Sequence, residues 1–507
     1  MNDTFYDTSI NRITMNNESK PAVHRRRRSI IREFCLNTST HALPGIARSE
    51  SMHNRLFWSI SFVIFTGIMI YFVTISIINY FQYPTTIDVS YDNDWQQYFA
   101  AFSFCNIAPF RSDRFIEPLL NYTNALNLTD TNDATSFVDD FMFHKINSNE
   151  TLEDYFFPLS SMLFTCSYNF QSCSTADFIS FISPTYGLCH TFNAKWKNTS
   201  ENSLRRGSAY GSVSVLTLGL YIHSYQYLPY LSEVTGITAL VHDNTQIPNI
   251  DSNGIELEPG RRHRIGYRRK RAKFLSSPYT DCANKISRSF NAMLENYNQA
   301  DYNYSQTNCL QVCLQTYVYE KCGCINPYLW NIRSIVLPGT DKVIFAPICN
   351  SFNNCFSTAS DELFTSTTYV QNYCSDCSQE CVINSFALQT TSSMLNIDWK
   401  LESIKNFVEN STVSLPNNWS TTWQQHIYEN YLIVNVISES HIIETNTQIS
   451  SLGIVDVISN IGGHTGLWIG ISFLSIMEFI EMIYRLIRYQ LHLIRESQQR
   501  KINIIQP

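Results

Sequence analysis

The sequence has 507 residues, a formal net charge of −7 at pH 7, 14% aromatic residues and 15 cysteines. Apart from the aromatics and cysteines these averages are ordinary for a soluble protein, and they conceal two very apolar segments. The sequence has no phosphate-binding loop, and disulfides account for its cysteines better than a metal or catalytic cluster does. Nothing therefore indicates an enzyme, a cofactor or a nucleic-acid partner.

The first segment, residues 1–54, is polar and contains the run HRRRRS. The 23 residues from Leu56 to Ile78 then carry no charge, and at about 1.5 Å per residue they can cross a hydrocarbon core of roughly 30 Å. We predict a first transmembrane helix at residues 55–80. Because this stretch begins more than fifty residues into the chain and has no small-residue cleavage site after it, we expect no removable signal peptide.

Residues 81–456 alternate strand-like runs with helix-like runs. The runs at 210–222 and 431–438 are rich in β-branched and aromatic residues, which favours strands. The runs at 282–297 and 309–322 have spacing compatible with helices. We predict one compact α+β domain for this segment.

Fourteen cysteines fall in this middle segment, whereas Cys35 precedes the first apolar stretch. An even number in an oxidising compartment and one thiol in a reducing compartment is what seven disulfides require. Their density suggests rigid, stapled helices that transmit a movement, although extracellular proteins also accumulate disulfides for durability. The fourteen are Cys105, Cys166, Cys173, Cys189, Cys282, Cys309, Cys313, Cys322, Cys324, Cys349, Cys355, Cys374, Cys377 and Cys381.

The same segment contains seven Asn-x-Ser/Thr motifs, which are typical of a glycosylated extracellular domain. The motif also occurs at Asn2, Asn17 and Asn37, so it only supports the assignment. The seven are Asn121, Asn127, Asn149, Asn198, Asn303, Asn410 and Asn418.

A basic run at residues 261–273, RRHRIGYRRKRAK, contains eight arginines and lysines. Residues 268–271 match a furin-type pattern, so cleavage after Arg271 is one interpretation. A contact with an acidic partner is another. We expect a solvated surface loop, and keep both alternatives open.

The second apolar segment, residues 457–486, carries the polar residues His464, Glu478 and Glu481. Small residues in membrane helices more often serve packing than conduction. Here, however, Gly470-Ile471-Ser472 permits a local unwinding, and its free carbonyls would need ions or water. Glu478 and Glu481 follow toward the cytosol, where a carboxylate is costly unless it faces a wet pore. Such oxygens favour cations over anions.

The tail at 487–507 is short and basic, like the segment before the first apolar stretch. The excess of positive charge predicts cytosolic termini on both sides, with residues 81–456 outside the cell. The predicted fold is thus two transmembrane helices flanking a large, disulfide-rich extracellular α+β domain.

Three motifs resemble those of the degenerin/epithelial sodium channel family, which includes acid-sensing and FMRFamide peptide-gated channels. GGHTGLWIGIS at 462–472 is similar to its Gly-Gly-x-x-Gly-Leu-x-x-Gly-x-Ser pattern. FAAFSFCN at 99–106 is similar to the strand after its first span, with Ala100 in place of proline. The spacing of Cys309, Cys313, Cys322 and Cys324 matches its thumb cysteine array. The resemblance covers the chain from about His41 to Arg488.

The resemblance implies a sodium-selective, amiloride-sensitive-type channel that assembles as a homo- or heterotrimer in the plasma membrane, with the sodium ion as its permeant species. It implies that Gly470, Ile471 and Ser472 form the selectivity belt, and that Ser459 lies at the outer mouth, where small residues let the gate close. The remaining pore and gate residues would be Gly462, Gly463, Gly466, Glu478 and Glu481.

The resemblance also implies a pairing of the cysteines that spacing cannot select. The implied bridges are Cys105–Cys189, Cys166–Cys173, Cys282–Cys381, Cys309–Cys377, Cys313–Cys374, Cys322–Cys355 and Cys324–Cys349.

The sequence departs from the family pattern at positions that concern opening. The cytosolic His-Gly motif reads His41-Ala42, and the added methyl restricts the backbone. The paired histidines of many proton-gated relatives correspond to Pro84 and Thr85, which do not titrate. An aromatic pair that couples the extracellular domain to the membrane looks retained as Tyr83 and Tyr279, although Tyr83 could instead be an interfacial belt residue.

We therefore expect a channel opened by an extracellular stimulus, with a neuropeptide or another small ligand favoured over protons. Proton gating, mechanical gating and constitutive opening are the alternatives within the same family. A two-span receptor of the ATP-gated type and a two-span adhesion or binding receptor without a pore are more distant alternatives.

Overall fold

The computed structural model describes most of the chain. The described residues are 20–126, 137–200, 203–207, 215–228, 231–283, 286–295, 297, 299–337, 339–340, 342–350 and 354–505. They divide into two compact units. The first unit contains described residues 20–85 and 450–505, and the second contains those between 86 and 449.

The described residues form helices and strands that we number in chain order. Helices α1 to α15 are Lys20–Asn37, Ala42–Arg48, Met52–Phe81, Ser112–Ala125, Val138–Asn147, Leu159–Met162, Ile250–Asn253, Arg288–Glu295, Gln306–Cys322, Cys355–Thr365, Thr367–Tyr373, Leu401–Glu409, Trp419–Asn430, Ile454–Ile469 and Phe473–Ile505. Strands β1 to β17 are Thr85–Asn93, Ala101–Asn106, Leu163–Tyr168, Gln171–Ser172, Phe178–Ser183, Gly187–Phe192, Val215–Tyr221, Ile237–His242, Ile255–Leu257, Arg261–Lys273, Cys282–Ala283, Ser334–Val336, Val343–Phe345, Gln379–Glu380, Val382–Met394, Tyr431–Ser438 and Ile442–Ser450.

The first unit consists of helices α1, α2, α3, α14 and α15. Among the described residues, α3 is the one helix that is long and apolar enough by itself to cross a membrane. Helices α14 and α15 meet that condition together, with a bend of 71° at the break between them. Helix α15 continues to Ile505, so a helix occupies the described part of 487–507, a segment expected only to be a short basic tail.

The second unit is built on two large β-sheets. An eight-stranded sheet has the order β1-β17-β10-β16-β7-β3-β4, with β15 paired to β10. A five-stranded sheet has the order β5-β6-β2-β8-β9. Aromatic and aliphatic side chains form a buried cluster that draws on strands of both sheets; they include Phe102, Phe104, Leu218 and Val434. The predicted α+β class is confirmed for the described residues.

The local predictions for the second unit have different outcomes. Residues 431–438 form β16 over their full predicted length, and α9 covers the helix expected at 309–322. Strand β7 covers 215–221 of the strand expected at 210–222, whose first five residues lie outside the described ranges. The helix expected at 282–297 is shorter, because α8 begins only at Arg288 and Cys282 belongs to β11.

Seven disulfides staple the second unit, and they are the pairs that the resemblance implies. Cys105 and Cys189 lie opposite each other on β2 and β6. Cys309 and Cys313 are one turn apart on α9, so their sulfurs leave the same face and bond Cys377 and Cys374. Two consecutive bridges thus fix one face of α9. The remaining cysteine of the chain, Cys35, is a free thiol in the first unit.

The asparagines of the glycosylation motifs are exposed wherever the structure describes them. Asn127 lies outside the described residues. The exposed ones are Asn121, Asn149, Asn198, Asn303, Asn410 and Asn418.

The basic run at 261–273 is strand β10, so the expectation of a solvated loop was wrong. It pairs along its whole length with β15 and, on its other edge, with β16 and then β17. Four of its eight basic residues have a carboxylate partner within the unit; for example, Arg268 contacts Glu439 at 3.3 Å and Lys270 contacts Glu444 at 3.1 Å. Alternating side chains such as Ile265 and Tyr267 are buried, which places the strand in the core.

We expect the folded chain to resist cleavage after Arg271 by a furin-type protease, because such a protease requires an extended segment whose hydrogen bonds are free. The reduced and denatured chain should be cut there and release a fragment beginning at Ala272. Gel electrophoresis and mass spectrometry of both samples provide the measurement and its control. Cleavage of the folded chain after Arg271 would contradict the pairing of β10.

Candidate pore segment

The break between α14 and α15 lies at Gly470, Ile471 and Ser472. Helix α14 ends at Ile469, and Gly470 has a left-handed backbone with φ +71°. The Ile471 backbone N–H reaches back to the Thr465 carbonyl at 3.2 Å. This is where the sequence predicted a local unwinding, and glycine suits it because other residues rarely adopt this conformation.

Two serines cap the start of α15, directly after the break. The Ser472 backbone N–H donates to the Ser475 Oγ at 3.0 Å, and the Ser475 N–H donates to the Ser472 Oγ at 3.4 Å. This reciprocal arrangement supplies partners for N–H groups that a helix start leaves free. The hydroxyls therefore begin α15 directly after the break.

A turn from the N-terminal part of the chain, residues 38–41, lies against the break. The His41 N–H donates to the Ile469 carbonyl at 3.2 Å, and the hydroxyls of Ser39 and Ser475 are 2.5 Å apart. A Cβ atom added to Gly470 would lie 2.7 Å from the His41 ring. Two requirements thus converge on Gly470: its positive φ and its contact with His41.

The residue after this turn, Ala42, is the first residue of α2 and is buried. It does not have the positive φ that favours glycine, so the alanine fits its backbone without strain. Alanine is more favourable than glycine in a helix by about 1 kcal/mol. The departure from the His-Gly motif therefore stabilises the start of α2.

Both predicted pore carboxylates have partners in the first unit. The Glu478 Oε2 accepts the Ser39 N–H at 3.0 Å, and Glu481 pairs with Arg485 at 2.7 Å. Arg485 also lies 3.3 Å from Glu33. Each carboxylate thus has a protein partner, and its place in a pore stays a prediction.

The small residues of α14 are exposed and have open space around them. A Cβ added to any of the three glycines would meet no described atom within 4 Å. A helix face without side chains leaves room for a close neighbour or for water. These exposed residues are Ser459, Gly462, Gly463 and Gly466.

The other side of α14 packs against α3 through aromatic rings. Phe72 stacks on His464 with ring centroids 5.2 Å apart and on Trp468 at 6.0 Å. Phe65, which like Phe72 belongs to α3, also stacks on Trp468. His464 therefore has a packing role.

The two tyrosines expected to couple the extracellular domain to the membrane belong to different units. Tyr83 follows α3 with a positive φ of 50°, and its ring lies 6.4 Å from that of Tyr80. The Tyr279 N–H donates to the Ser276 carbonyl in a turn of the second unit. The coupling remains a prediction.

Sequence reasoning missed Ser39 and Ser475, which join the N-terminal turn to the break. The available signal was the Ser472-x-x-Ser475 spacing, which is typical of a capped helix start. Ser39 carries no comparable signal, because its partners lie more than 430 positions away. Within the described ranges no group of three or more His, Cys, Asp or Glu residues could hold a metal ion. The candidate ligands for a passing cation are the backbone carbonyls and hydroxyls of the break.

Comparison with known proteins gives consistent matches over this whole arrangement. The family model described as "Amiloride-sensitive sodium channel" matches residues 34–482. Acid-sensing ion channel 4-B of Danio rerio is 25% identical, over 91% of this chain and 77% of its own length. The epithelial sodium channel subunit alpha of Mus musculus is 23% identical, over 92% and 76%. Acid-sensing ion channel 1 of Gallus gallus is 26% identical, over 91% and 85%.

We expect Gly470→Ala to destabilise the first unit, because a left-handed backbone costs about 1–2 kcal/mol for a residue with a Cβ and the methyl would push against His41. Gly67→Ala is the matched control, since that glycine lies inside α3 with open space around it. Thermal unfolding of the two purified variants in detergent measures the difference. Equal unfolding midpoints would contradict the role of Gly470.

Proposed function

Since the chain belongs to the amiloride-sensitive sodium channel family, we propose that it conducts sodium selectively across the plasma membrane and is opened by an extracellular ligand. The observation that carries this proposal is the break at Gly470 to Ser472 inside an apolar helix pair. A purely structural anchor has no need of such a break. We propose neither catalysis nor a cofactor.

The proposed topology has two spans, α3 and the α14–α15 pair, with both termini in the cytosol. The second unit would then be extracellular. Its seven disulfides and exposed glycosylation motifs support an extracellular location. The free thiol of Cys35 suits the reducing side.

The proposed pore is a trimer with one α14–α15 pair from each chain. A single pair cannot enclose a water-filled path, so other copies or related subunits have to complete it. The uncovered face of Ser459, Gly462, Gly463 and Gly466 supports close approach around an axis. One of the named relatives is an epithelial sodium channel subunit, and this supports assembly with related subunits as well as with copies of the same chain.

At the break, cation binding would depend on oxygen atoms. A carbonyl that leaves a helix ladder keeps its lone pairs for a partly dehydrated cation. Gly470, Ile471 and Ser472 are the proposed selectivity belt. The turn at residues 38–41 would support the belt from the N-terminal side, through the contact of His41 with Ile469.

For the stimulus we favour a neuropeptide or another small ligand over protons. Burial lowers the pKa of His190 to about 3 and those of His223 and His242 to about 4. These imidazoles stay neutral above about pH 5, so they cannot report mild acid. Pro84 and Thr85 do not titrate either.

Acid sensing is the second candidate, and one observation favours it. Partial desolvation raises the pKa of the Asp139 carboxyl in α5, so this group takes up its proton at a higher pH than an ordinary aspartate does. Two of the named relatives are acid-sensing channels. Mechanical gating and constitutive opening remain proposals without a supporting contact.

Expression in oocytes with two-electrode recording tests the function and the stimulus together. We expect an amiloride-sensitive sodium current that an RFamide-type peptide evokes more strongly than acid at pH 5 does. Uninjected oocytes are the control. A current evoked by acid alone would favour the second candidate. A chain that reaches the cell surface but shows no current with peptide or acid, and no change with amiloride, would contradict the proposal.

We expect Ser459→Phe to raise the basal current, because a bulky side chain on this face prevents α14 helices from approaching when the pore closes. A change of about 1.4 kcal/mol in the free-energy difference between the open and closed states would raise the ratio of open to closed channels about tenfold. Ser459→Ala is the matched control and should leave the basal current unchanged. Equal basal currents in the two variants, at equal surface expression, would contradict the assignment of this face.

A further inference from the structure

The second unit contains a cavity of about 1200 Å³ that the proposed function does not use. Its wall comes from the end of α5 and the chain after it as far as Pro158, from β5 and β6, from the chain before α9, and from the segment between Cys324 and Cys349. We call it the Arg333 cavity. Much of its lining is aromatic, including Phe156, Phe181, Trp196, Tyr297, Tyr302 and Trp330.

One guanidinium, that of Arg333, lines this cavity although its residue is only 7% exposed. Its Nε donates to the Ala346 carbonyl at 2.9 Å, and its Nη1 donates to the Ile146 carbonyl at 3.0 Å. The group also lies 4.0 Å from the centre of the Phe345 ring. These contacts fix the plane of the guanidinium but leave three of its five N–H donors without a protein acceptor among the described residues.

Arg333 differs from the other two buried arginines of the described residues in its charge balance. Arg111 is held by Asp113 through two bonds of 2.6 and 2.7 Å, and Arg269 lies 3.3 Å from Asp243. For Arg333, the described part of the chain places no carboxylate within 4 Å. The Ile146 carbonyl, near the end of α5, offers only the partial charge of a helix terminus.

A buried cation without a counterion is costly, and proteins ordinarily pair it. Burial also lowers the pKa of the Arg333 guanidinium from its usual value. An anion in the cavity would supply the missing partner, and a carboxylate matches the planar donors of an arginine in a two-bond contact.

The rest of the cavity restricts what that anion can be. The aromatic wall favours a ring or another apolar body next to the charge. Two exposed carboxylates, Glu150 and Glu153, also line the cavity, and Lys145 neutralises only the first, at 2.6 Å. Their negative potential disfavours ligands with several negative charges.

We propose that the Arg333 cavity binds an organic monocarboxylate with an aromatic body, with the carboxylate on Arg333 and the ring among the aromatic side chains. Such a group occurs at the carboxyl end of a short peptide and in small aromatic acids. This ligand goes beyond the proposed function, because an RFamide-type peptide ends in a carboxamide and lacks the carboxylate that Arg333 would bind.

The segment that carries Arg333 is tied to the stapled helix α9. The Gln315 side chain of α9 is buried, and its Nε2 donates to three carbonyls of this segment. They belong to Asn326, Leu329 and Ile332. A ligand that draws in Arg333 therefore pulls on a helix whose opposite connections, through Cys309 and Cys313, are covalent.

Binding to the purified full chain tests the proposal without any current. The probes are N-acetyl-L-phenylalanine, its carboxamide and 3-phenylpropionate, measured by isothermal titration. We expect both carboxylates to bind and the carboxamide to bind about tenfold more weakly or worse, because it loses a charge-assisted contact. A preference for N-acetyl-L-phenylalanine over 3-phenylpropionate would indicate a peptide end, and the reverse a small acid. Equal binding of the acid and its carboxamide would overturn the proposal.

Arg333→Gln should abolish this preference for the carboxylate, whereas Arg114→Gln, at an exposed arginine of α4, should retain it. If Arg333→Gln does not fold, Phe345→Ala provides the test, since Phe345 is 59% exposed and still contacts the guanidinium. This variant should weaken binding of the acid more than binding of the carboxamide. Unchanged acid binding in Phe345→Ala, or in a folded Arg333→Gln, would overturn the site. Binding without a sodium current would refute only the proposed function.

Discussion

Backbone groups released in an apolar segment have to find new partners, and the first unit is organised around that constraint. At the break after α14, the Ile469 carbonyl accepts the N–H of His41, and the Ser472 N–H uses the Ser475 hydroxyl. The N-terminal turn is therefore part of the candidate pore, although it precedes it by more than 400 residues.

The same constraint gives Gly470 two roles that would be separate elsewhere. Its positive φ ends α14, and its missing side chain makes room for the His41 ring. Ala42, by contrast, adopts a helical backbone that alanine supports. The turn is thus held by hydrogen bonds and helix propensity at a position where the family pattern has a flexible glycine.

In the second unit, disulfides and buried ion pairs hold the elements in place, whereas the first unit relies on hydrogen bonds of released backbone groups. Two bridges fix one face of α9, while Gln315 on the same helix holds the segment that carries Arg333. Four of the eight basic residues of strand β10 pair with carboxylates of the same unit. Most buried or paired positive charge is therefore structural, and Arg333 stands apart because its donors face a cavity.

The apolar helices, the α+β class and the break at residues 470–472 can be predicted from the sequence alone, and the cysteine pairs from the resemblance. Each of these depends on local composition, short spacing or a motif, which a single chain displays directly. Periodicity did not place the basic run inside a sheet, because strand pairing depends on partners such as β15, more than 100 residues away.

Which side chains contact the break, and which charges lack a partner, becomes visible only in the folded chain. Ser39 and Glu478 have no sequence pattern in common, yet they are joined by a hydrogen bond of 3.0 Å. Likewise, Arg111 and Arg333 are both single arginines in the sequence, and burial beside Asp113 or beside a cavity distinguishes them. Contacts between residues far apart in the sequence form only when the chain packs. The free energy of a charge depends on the groups around it, so it too is set by that packing.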